Sequence, residues 1–434
     1  MKILFVLLVV GLGFTVGQES RPDSRPETPI PAIEAMARLV TDAVREDPGD
    51  ALRMVLSEPL LAAAPWPRIR AHLVATAKIH GRGTGFSWGA GGPKARSASF
   101  WITLEKGSEM WCDVVLDPDG RTLSGLLFQE PMRIGQTLDD VLKDFAKFPG
   151  TTSAAIGTLG EDVELIAGHA PDVLLPTGST FKLWVLGALA AGVEDGSRRW
   201  DETTALTKSR MSAPSGRLHQ WPEGTPFTLA TLAGAMISES DNTATDHLLF
   251  HLGRTTVESW MRKIGHATPA ANVPLLATRE LFLLKFSADA SRIDRWMAAT
   301  SEGRRALLAS FAGLSMDDVA SPALPVRPRD IEWFASPLDL LRTMNGLRKI
   351  DDGGRAVSLL GINPAFRVDS SRFPIVAYKG GSEPGVLNMT WMWKDDRGRW
   401  MAAAFSWCRD DAVVDESRLL RLATRAIHAA RRTP

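Results

Sequence analysis

Ser179-Thr180-Phe181-Lys182, running on into Leu183-Trp184-Val185-Leu186-Gly187-Ala188-Leu189, is the stretch on which the reading of this chain turns. On a helix, residues three apart share a face, with Cβ atoms ~5–6 Å apart. The Lys182 amine is therefore expected to reach the Ser179 hydroxyl. A hydroxyl is a poor nucleophile until a neighbouring base takes its proton. Desolvation lowers a lysine pKa and fits it for that task. The helix that follows is apolar nearly all round, which predicts burial in a core. Taken alone, the tetrad fits a polar helix start with Ser179 near the N-cap equally well.

Two further motifs follow. Ser240-Asp241-Asn242 lies between an apolar segment (Leu229 to Ile237) and a second helical pattern (Thr243 to Leu249). A strand-like run, Pro374-Ile375-Val376-Ala377-Tyr378, ends in Lys379-Gly380-Gly381-Ser382. The order Ser-x-x-Lys, Ser-Asp-Asn, Lys-[Thr/Ser]-Gly marks class A β-lactamases and penicillin-binding proteins. The chain resembles that superfamily, class A most closely, over roughly residues 136–432. Leu174-Leu175-Pro176-Thr177-Gly178 before the first motif, and Ala335-Ser336-Pro337-Leu338-Asp339-Leu340 between the second and third, strengthen the likeness.

The resemblance implies acyl transfer to serine. Ser179 would be the nucleophile, Lys182 the first candidate for its base, and Ser240 the group that passes the proton to the leaving nitrogen. Asn242 would hold Lys182 and the substrate amide. Lys379 would supply positive potential for a substrate carboxylate. The backbone N–H groups of Ser179 and Ser382 would form the oxyanion hole. Gly380-Gly381 permits close approach of a ligand, and Gly381 counts with Asn242, Lys379 and Ser382 among the substrate-binding residues.

Two departures from the family pattern stand out. Gly380 replaces a Thr or Ser, removing a hydroxyl that normally meets the substrate carboxylate; Ser382 is one substitute, and substrates without that carboxylate are another. The deacylating glutamate has no clear position either, because the region from Gly265 to Ala335 is several tens of residues longer than in class A enzymes. It holds a helical insert (Leu281 to Phe311) and three glutamates, Glu280, Glu302 and Glu332, each of which fits a solvated helical face.

The expected function is thus an exported serine hydrolase of the β-lactamase type, acylated at Ser179 by β-lactam amides and then hydrolysed slowly. A D-alanyl-peptidase or esterase with the same machinery, and a non-hydrolytic β-lactam-binding sensor, are the alternatives. The expected partner is a small molecule, a β-lactam or an acyl peptide or ester, bound by a monomer without cofactor or metal.

Composition bounds the reading further. The 434 residues are 44% hydrophobic and 23% charged, with 50 Lys and Arg against 50 Asp and Glu. Those fractions fit a globular protein. Zero formal charge lacks the basic excess of nucleic-acid or membrane-surface binders. Met1-Lys2, the apolar run Ile3 to Val10 and the small residues up to Gly17 read as a signal peptide over 1–17, with an uncleaved anchor as the alternative. Residues 18–31, rich in Pro, Ser and charge, read as a linker. Cys112 and Cys408 read as buried thiols. His247 and His251 share zincin spacing, but Leu248 stands where the zincin glutamate belongs. Tyr378, the only tyrosine, is expected to point away from the site if Lys379 points in.

The fold class is α+β. Residues 32–132 read as three helices followed by three strands (Ser97 to Leu104, Met110 to Leu116, Arg121 to Phe128), a small α+β cone similar to isomerase-like domains. Gly81-Arg82-Gly83-Thr84-Gly85 reads as the break between helices and strands. Residues 136–432 read as the hydrolase domain, an antiparallel sheet built from both ends of the segment, flanked by helices and a helical subdomain. Such a pairing of domains resembles the two-domain proteins encoded in clavulanic acid gene clusters.

Overall fold

The computed structural model describes residues 30–432, except 90–91, 288, 290, 317–318, 320–321, 351–353 and 367. The segment read as a signal peptide, and nearly all of the linker, lie outside the described residues. The chain divides into two compact units. The first runs to Gln136 and includes Asp369–Arg372; the second comprises Thr137–Val368 and the chain from Phe373 onward.

The first unit contains α1 (Ile30–Ala43), α2 (Glu58–Ala63) and α3 (Trp66–His80), then β1 (Gly83–Trp88), β2 (Ser97–Leu104), β3 (Ser108–Leu116), β4 (Leu123–Phe128) and the short β5 (Met132–Arg133). β1 to β4 form an antiparallel meander, and β5 pairs with β3. Ile33, Ala37 and Val40 of α1 and Leu73 of α3 close over Phe100, Ile102, Met110 and Val114 of the sheet. The glycine run does end α3, with Gly81 as its C-cap, but it also opens β1, a strand absent from the sequence reading. Gly83 is needed for contact as well: a Cβ there would lie 2.3 Å from the Thr41 carbonyl oxygen of α1.

The second unit opens with α4 (Leu138–Phe145), β6 (Thr151–Leu159), β7 (Val163–His169) and β8 (Leu175–Pro176). A largely helical stretch follows: α5 (Lys182–Glu194), the ribbon strands β9 (Thr203–Ala205) and β10 (Pro226–Thr228), α6 (Leu229–Ser238), α7 (Asn242–Leu252) and α8 (Arg254–Lys263). The expected single helical insert is three helices, α9 (Thr278–Lys285), α10 (Ser291–Ala298) and α11 (Ser301–Ala309). β11 (Phe334–Ala335), α12 (Pro337–Ile350) and α13 (Arg355–Leu360) lead to β12 (Ile375–Glu383), β13 (Val386–Lys394), β14 (Trp400–Cys408) and α14 (Glu416–Arg431).

The main sheet is antiparallel in the order β12-β13-β14-β6-β7, so both ends of the unit build it, and β12 is an edge. Side chains alternate between its faces. Met401, Ala403, Phe405 and Trp407 of β14 pack in the core that contains α4 and α14. Ala402 and Ala404 face the larger core of α5, α6, α7 and α12. Those small residues let α12 lie close to the sheet. α5 is the buried centre, with every residue from Lys182 to Ala190 shielded from solvent. Gly187 is obligatory there, since a Cβ would fall 2.2 Å from the Trp260 ring of α8. Cys112 and Cys408 are each buried free thiols.

Candidate active site

Gly178–Phe181 form a single 3-10 turn that runs directly into α5. Three contacts fix this turn. The Thr177 N–H and hydroxyl both donate to the Trp333 carbonyl, at 2.8 and 3.0 Å. The Phe181 and Trp333 rings stack at 3.8 Å, 6° from parallel. On the third side lies β12, whose Gly381 has no room for a side chain: a Cβ would meet Ser179 N at 2.3 Å. A Cβ on Gly178, which adopts φ +50°, would lie 2.8 Å from Ser382 N. The two N–H groups proposed as oxyanion donors are therefore on backbones in direct contact.

Ser240, Asp241 and Asn242 enter from the start of α7. Asp241 caps that helix, accepting from Ala244 N at 2.8 Å, and also accepts from Arg217 N at 2.7 Å and Leu218 N at 2.9 Å. The N-cap bond supplies an acceptor to an otherwise orphaned helical N–H. The residue before it, Ser240, is held at φ +56°, an uncommon conformation for a residue with a side chain. That twist aims its hydroxyl at both lysines, 3.2 Å from Lys182 Nζ and 3.1 Å from Lys379 Nζ. Lys182 also donates to the Ser240 carbonyl at 2.6 Å and to Asn242 Oδ1 at 2.8 Å.

The expected Lys182–Ser179 hydrogen bond is not formed in this state. The fully buried amine turns to the closest strong acceptors, Asn242 Oδ1 and the Ser240 carbonyl, and Ser179 makes no hydrogen bond to another described side chain. Ser179 is half-buried and opens on a cleft of ≈ 330 Å³, along with Ser240, Asn242, Lys379, Gly381 and Ser382. All the residues selected from sequence except Lys182 line this cleft, and Lys182 lies directly behind it.

Burial sets the electrostatics. It pushes Lys379 down to about 7. Lys182 is held well below the ordinary lysine value by burial and then by the Lys379 charge, with Asp246 and Asp241 opposing. Removal from water penalises the ammonium form, and a like charge adds to the penalty. Asp246 of α7 is raised to about 7 by its own burial, although it accepts from Thr278 N, Thr278 Oγ1 and Arg279 N at 2.7, 2.8 and 2.9 Å. These contacts seat α9 against α7 and bring Thr278 to the cleft wall beside Asn242.

The three glutamates have separate fates, and two are not on solvated faces. Glu280 is buried, pairs with both terminal nitrogens of Arg254 at 2.7 and 2.9 Å, and accepts from Ala277 N. Glu302 is exposed in the first turn of α11. Glu332 is buried in an irregular segment before β11 and lines the cleft. Burial first, and then the carboxylate of Glu383 at the end of β12, push Glu332 well above the usual carboxylate range. Lys285 opposes that shift from 3.9 Å and also pairs with Glu383. Sequence could not find this cluster, since its members come from α9, an irregular segment and an edge strand.

Tyr378 follows the strand alternation in part. Its ring packs on the face opposite Lys379, 4.7 Å from Trp391. Its length, however, carries it to the cleft wall. Trp221 is half-exposed against Phe227. His247 bonds Thr207 N and the Thr243 carbonyl, while His251 bonds Glu202. Among the described residues no cluster of three His, Cys, Asp or Glu could hold a metal ion.

Residues 133–310 match the model of the beta-lactamase enzyme family. The second unit is a β-lactamase-like domain. Ser179, Lys182, Ser240 and Asn242 lie inside the matched residues, and Lys379 to Ser382 lie beyond them. No curated protein matches the chain. Among solved structures, a β-lactamase from Sphaerobacter thermophilus is 19% identical, covers 68% of this chain and 94% of its own, and has a TM-score of 0.47. One from Chitinophaga pinensis is 16% identical over 67% of this chain and 97% of its own, with a TM-score of 0.44. PBP-A is 17% identical over 68% and 94%, with a TM-score of 0.45. No helix among the described residues is long and apolar enough to cross a membrane.

Proposed function

We propose that the β-lactamase-like domain is a serine hydrolase that opens β-lactam amides through an acyl-enzyme on Ser179 and releases the product slowly. The observation that carries this reading is the Ser240 hydroxyl, bonded at once to two buried amines beside a serine that faces the cleft. Ser179 Oγ attacks the carbonyl carbon. Its proton passes to the Lys182 amine, whose ammonium form burial and the Lys379 charge disfavour before the reaction. The carbonyl oxygen takes up negative charge next to the N–H groups of Ser179 and Ser382. When the C–N bond breaks, the proton moves from Lys182 through the Ser240 hydroxyl to the leaving nitrogen. Catalytic hydrogen bonds are often loose without substrate, so Lys182 turns toward Ser179 only when the cleft is filled. We further read residues 1–17 as the signal that exports the chain to the periplasm or the exterior, on the pattern of a short positive start and apolar core.

Slow release follows from the surroundings of the cleft. Thr278, a hydroxyl, stands beside Asn242, and Glu332 is engaged with Glu383 and Lys285. The same observation supports a second reading, a protein acylated once that stays acylated. A chromogenic cephalosporin assay run with intact-protein mass spectrometry separates the two. Turnover beyond one equivalent supports the hydrolase, a persistent single adduct supports the acceptor, and no adduct on Ser179 overturns both.

A further inference from the structure

Gly380 leaves no empty space behind. An ideal Cβ built on it would lie 2.0 Å from the Tyr378 hydroxyl oxygen and 2.8 Å from Tyr378 Cζ. The phenol therefore occupies the position from which a serine or threonine side chain at residue 380 would project. Glycine at 380 and tyrosine at 378 form one arrangement, since a larger residue at 380 would displace the ring. The ring is anchored from behind by Trp391. The hydroxyl makes no hydrogen bond to any described residue, although the side chain is largely enclosed and forms part of the cleft wall.

A hydroxyl that opens on the cleft and is not engaged by the protein is free to donate to a bound ligand. Its strand neighbour Lys379 supplies a buried amine, and Ser240 a second hydroxyl, at the same wall. Burial leaves that amine about half protonated near pH 7, and an anion bound beside it favours its charged form, so these donors suit an anion with two acceptor oxygens. The nearby carboxylate, Glu416, is exposed, and water screens its charge. Burial and Glu416 both raise the phenol's pKa, so it stays a donor at working pH. We infer that Tyr378 is a specificity-determining residue whose hydroxyl, next to Lys379, receives the carboxylate of the acylating substrate in place of a side-chain hydroxyl at residue 380. This rests on Ser179 being the acylated residue.

The test uses benzylpenicillin and its methyl ester, which differ only in that carboxylate, with second-order acylation rates followed by intact-protein mass spectrometry. In Tyr378→Phe the ring and its stacking remain and only the donor is lost. The preference for acid over ester should fall by about 10- to 100-fold, the scale of a hydrogen bond to a charged group. Gly380→Ala should lower the same preference by pushing the phenol aside, and it gives a second route if Tyr378→Phe does not fold. Adding Gly380→Thr to Tyr378→Phe should restore the preference. A preference unchanged in both single variants, or equal losses on acid and ester, would overturn the role of Tyr378 alone. If neither compound acylates the wild-type chain at Ser179, the acyl-transfer reading fails, and this inference with it.

Discussion

Lys182 and Lys379 converge on one acceptor, the Ser240 hydroxyl, from 3.2 and 3.1 Å. Two buried amines so placed cannot both carry charge cheaply. The unfolded chain imposes no such conflict, so proton binding differs between the two states.

Stability should therefore rise with pH above neutrality. Lys379 titrates near 7 in the fold and near 10.4 when unfolded. Between about pH 7 and 10 the unfolded chain holds a proton that the fold has lost, which makes the slope of stability against pH positive. Lys182, displaced in the same direction, adds to it. Urea midpoints should climb from pH 7 to pH 9, and Lys379→Met should flatten the climb. Parallel curves for the two proteins would show that Lys379 keeps an ordinary pKa.

The nucleophile and its base are separable. Ser179→Ala should abolish the covalent adduct with a penicillin or a fluorophosphonate probe. Lys182→Ala should leave the adduct possible but slow its formation about 10²-fold or more, the usual effect of losing a positioned base. Acylation by Lys182→Ala at the wild-type rate would place the base elsewhere.

Asp241 should matter to both fold and chemistry. It accepts three backbone N–H groups and sits beside the strained Ser240. Asp241→Ala leaves those donors without their acceptor, at about 1–3 kcal/mol for each one that stays buried, so a loss of about 3 kcal/mol or more is expected in urea unfolding. The surviving fold should acylate slowly, because Ser240 no longer bridges the lysines. A variant as stable as the wild type would mean that water replaces the carboxylate.

Much of this was legible in the chain, and the exceptions share a cause. The three motifs carry local signals: a buried apolar helix after Ser179, an N-cap at Asp241 and an alternating strand before Lys379. Local pattern stops being informative where contacts are distant. The strand read as carrying Lys379 to Ser382 does so, but only the fold shows that Gly380 and Gly381 pair with Met389 and Asn388 and that the second glycine admits the Ser179 turn. Glu332 reads as a helical surface residue until Lys285 and Glu383 are brought to it. Tyr378 alternates as a strand predicts, yet only the emptiness at Gly380 shows where its hydroxyl goes.

Turnover tests the loop glutamates. A base for deacylation must accept a proton from water, and a carboxyl group already holding one cannot. Glu332 is pushed toward its protonated form by burial and by the Glu383 carboxylate, which works against its serving as that base. Glu280 is committed to Arg254, and Glu302 is exposed on α11. Acylation should then outpace hydrolysis, giving a burst of one equivalent and a slow steady state. Glu332→Gln and Glu302→Gln should leave both phases within a few-fold. Glu280→Gln should lower thermal stability by weakening a buried ion pair, with little change in the burst. Loss of a general base typically costs about 10²–10⁴ in rate. If the wild-type chain turned over rapidly and Glu332→Gln alone reduced it to a burst, Glu332 would be an ionised base, and its pairing with Glu383 would have to open when substrate binds.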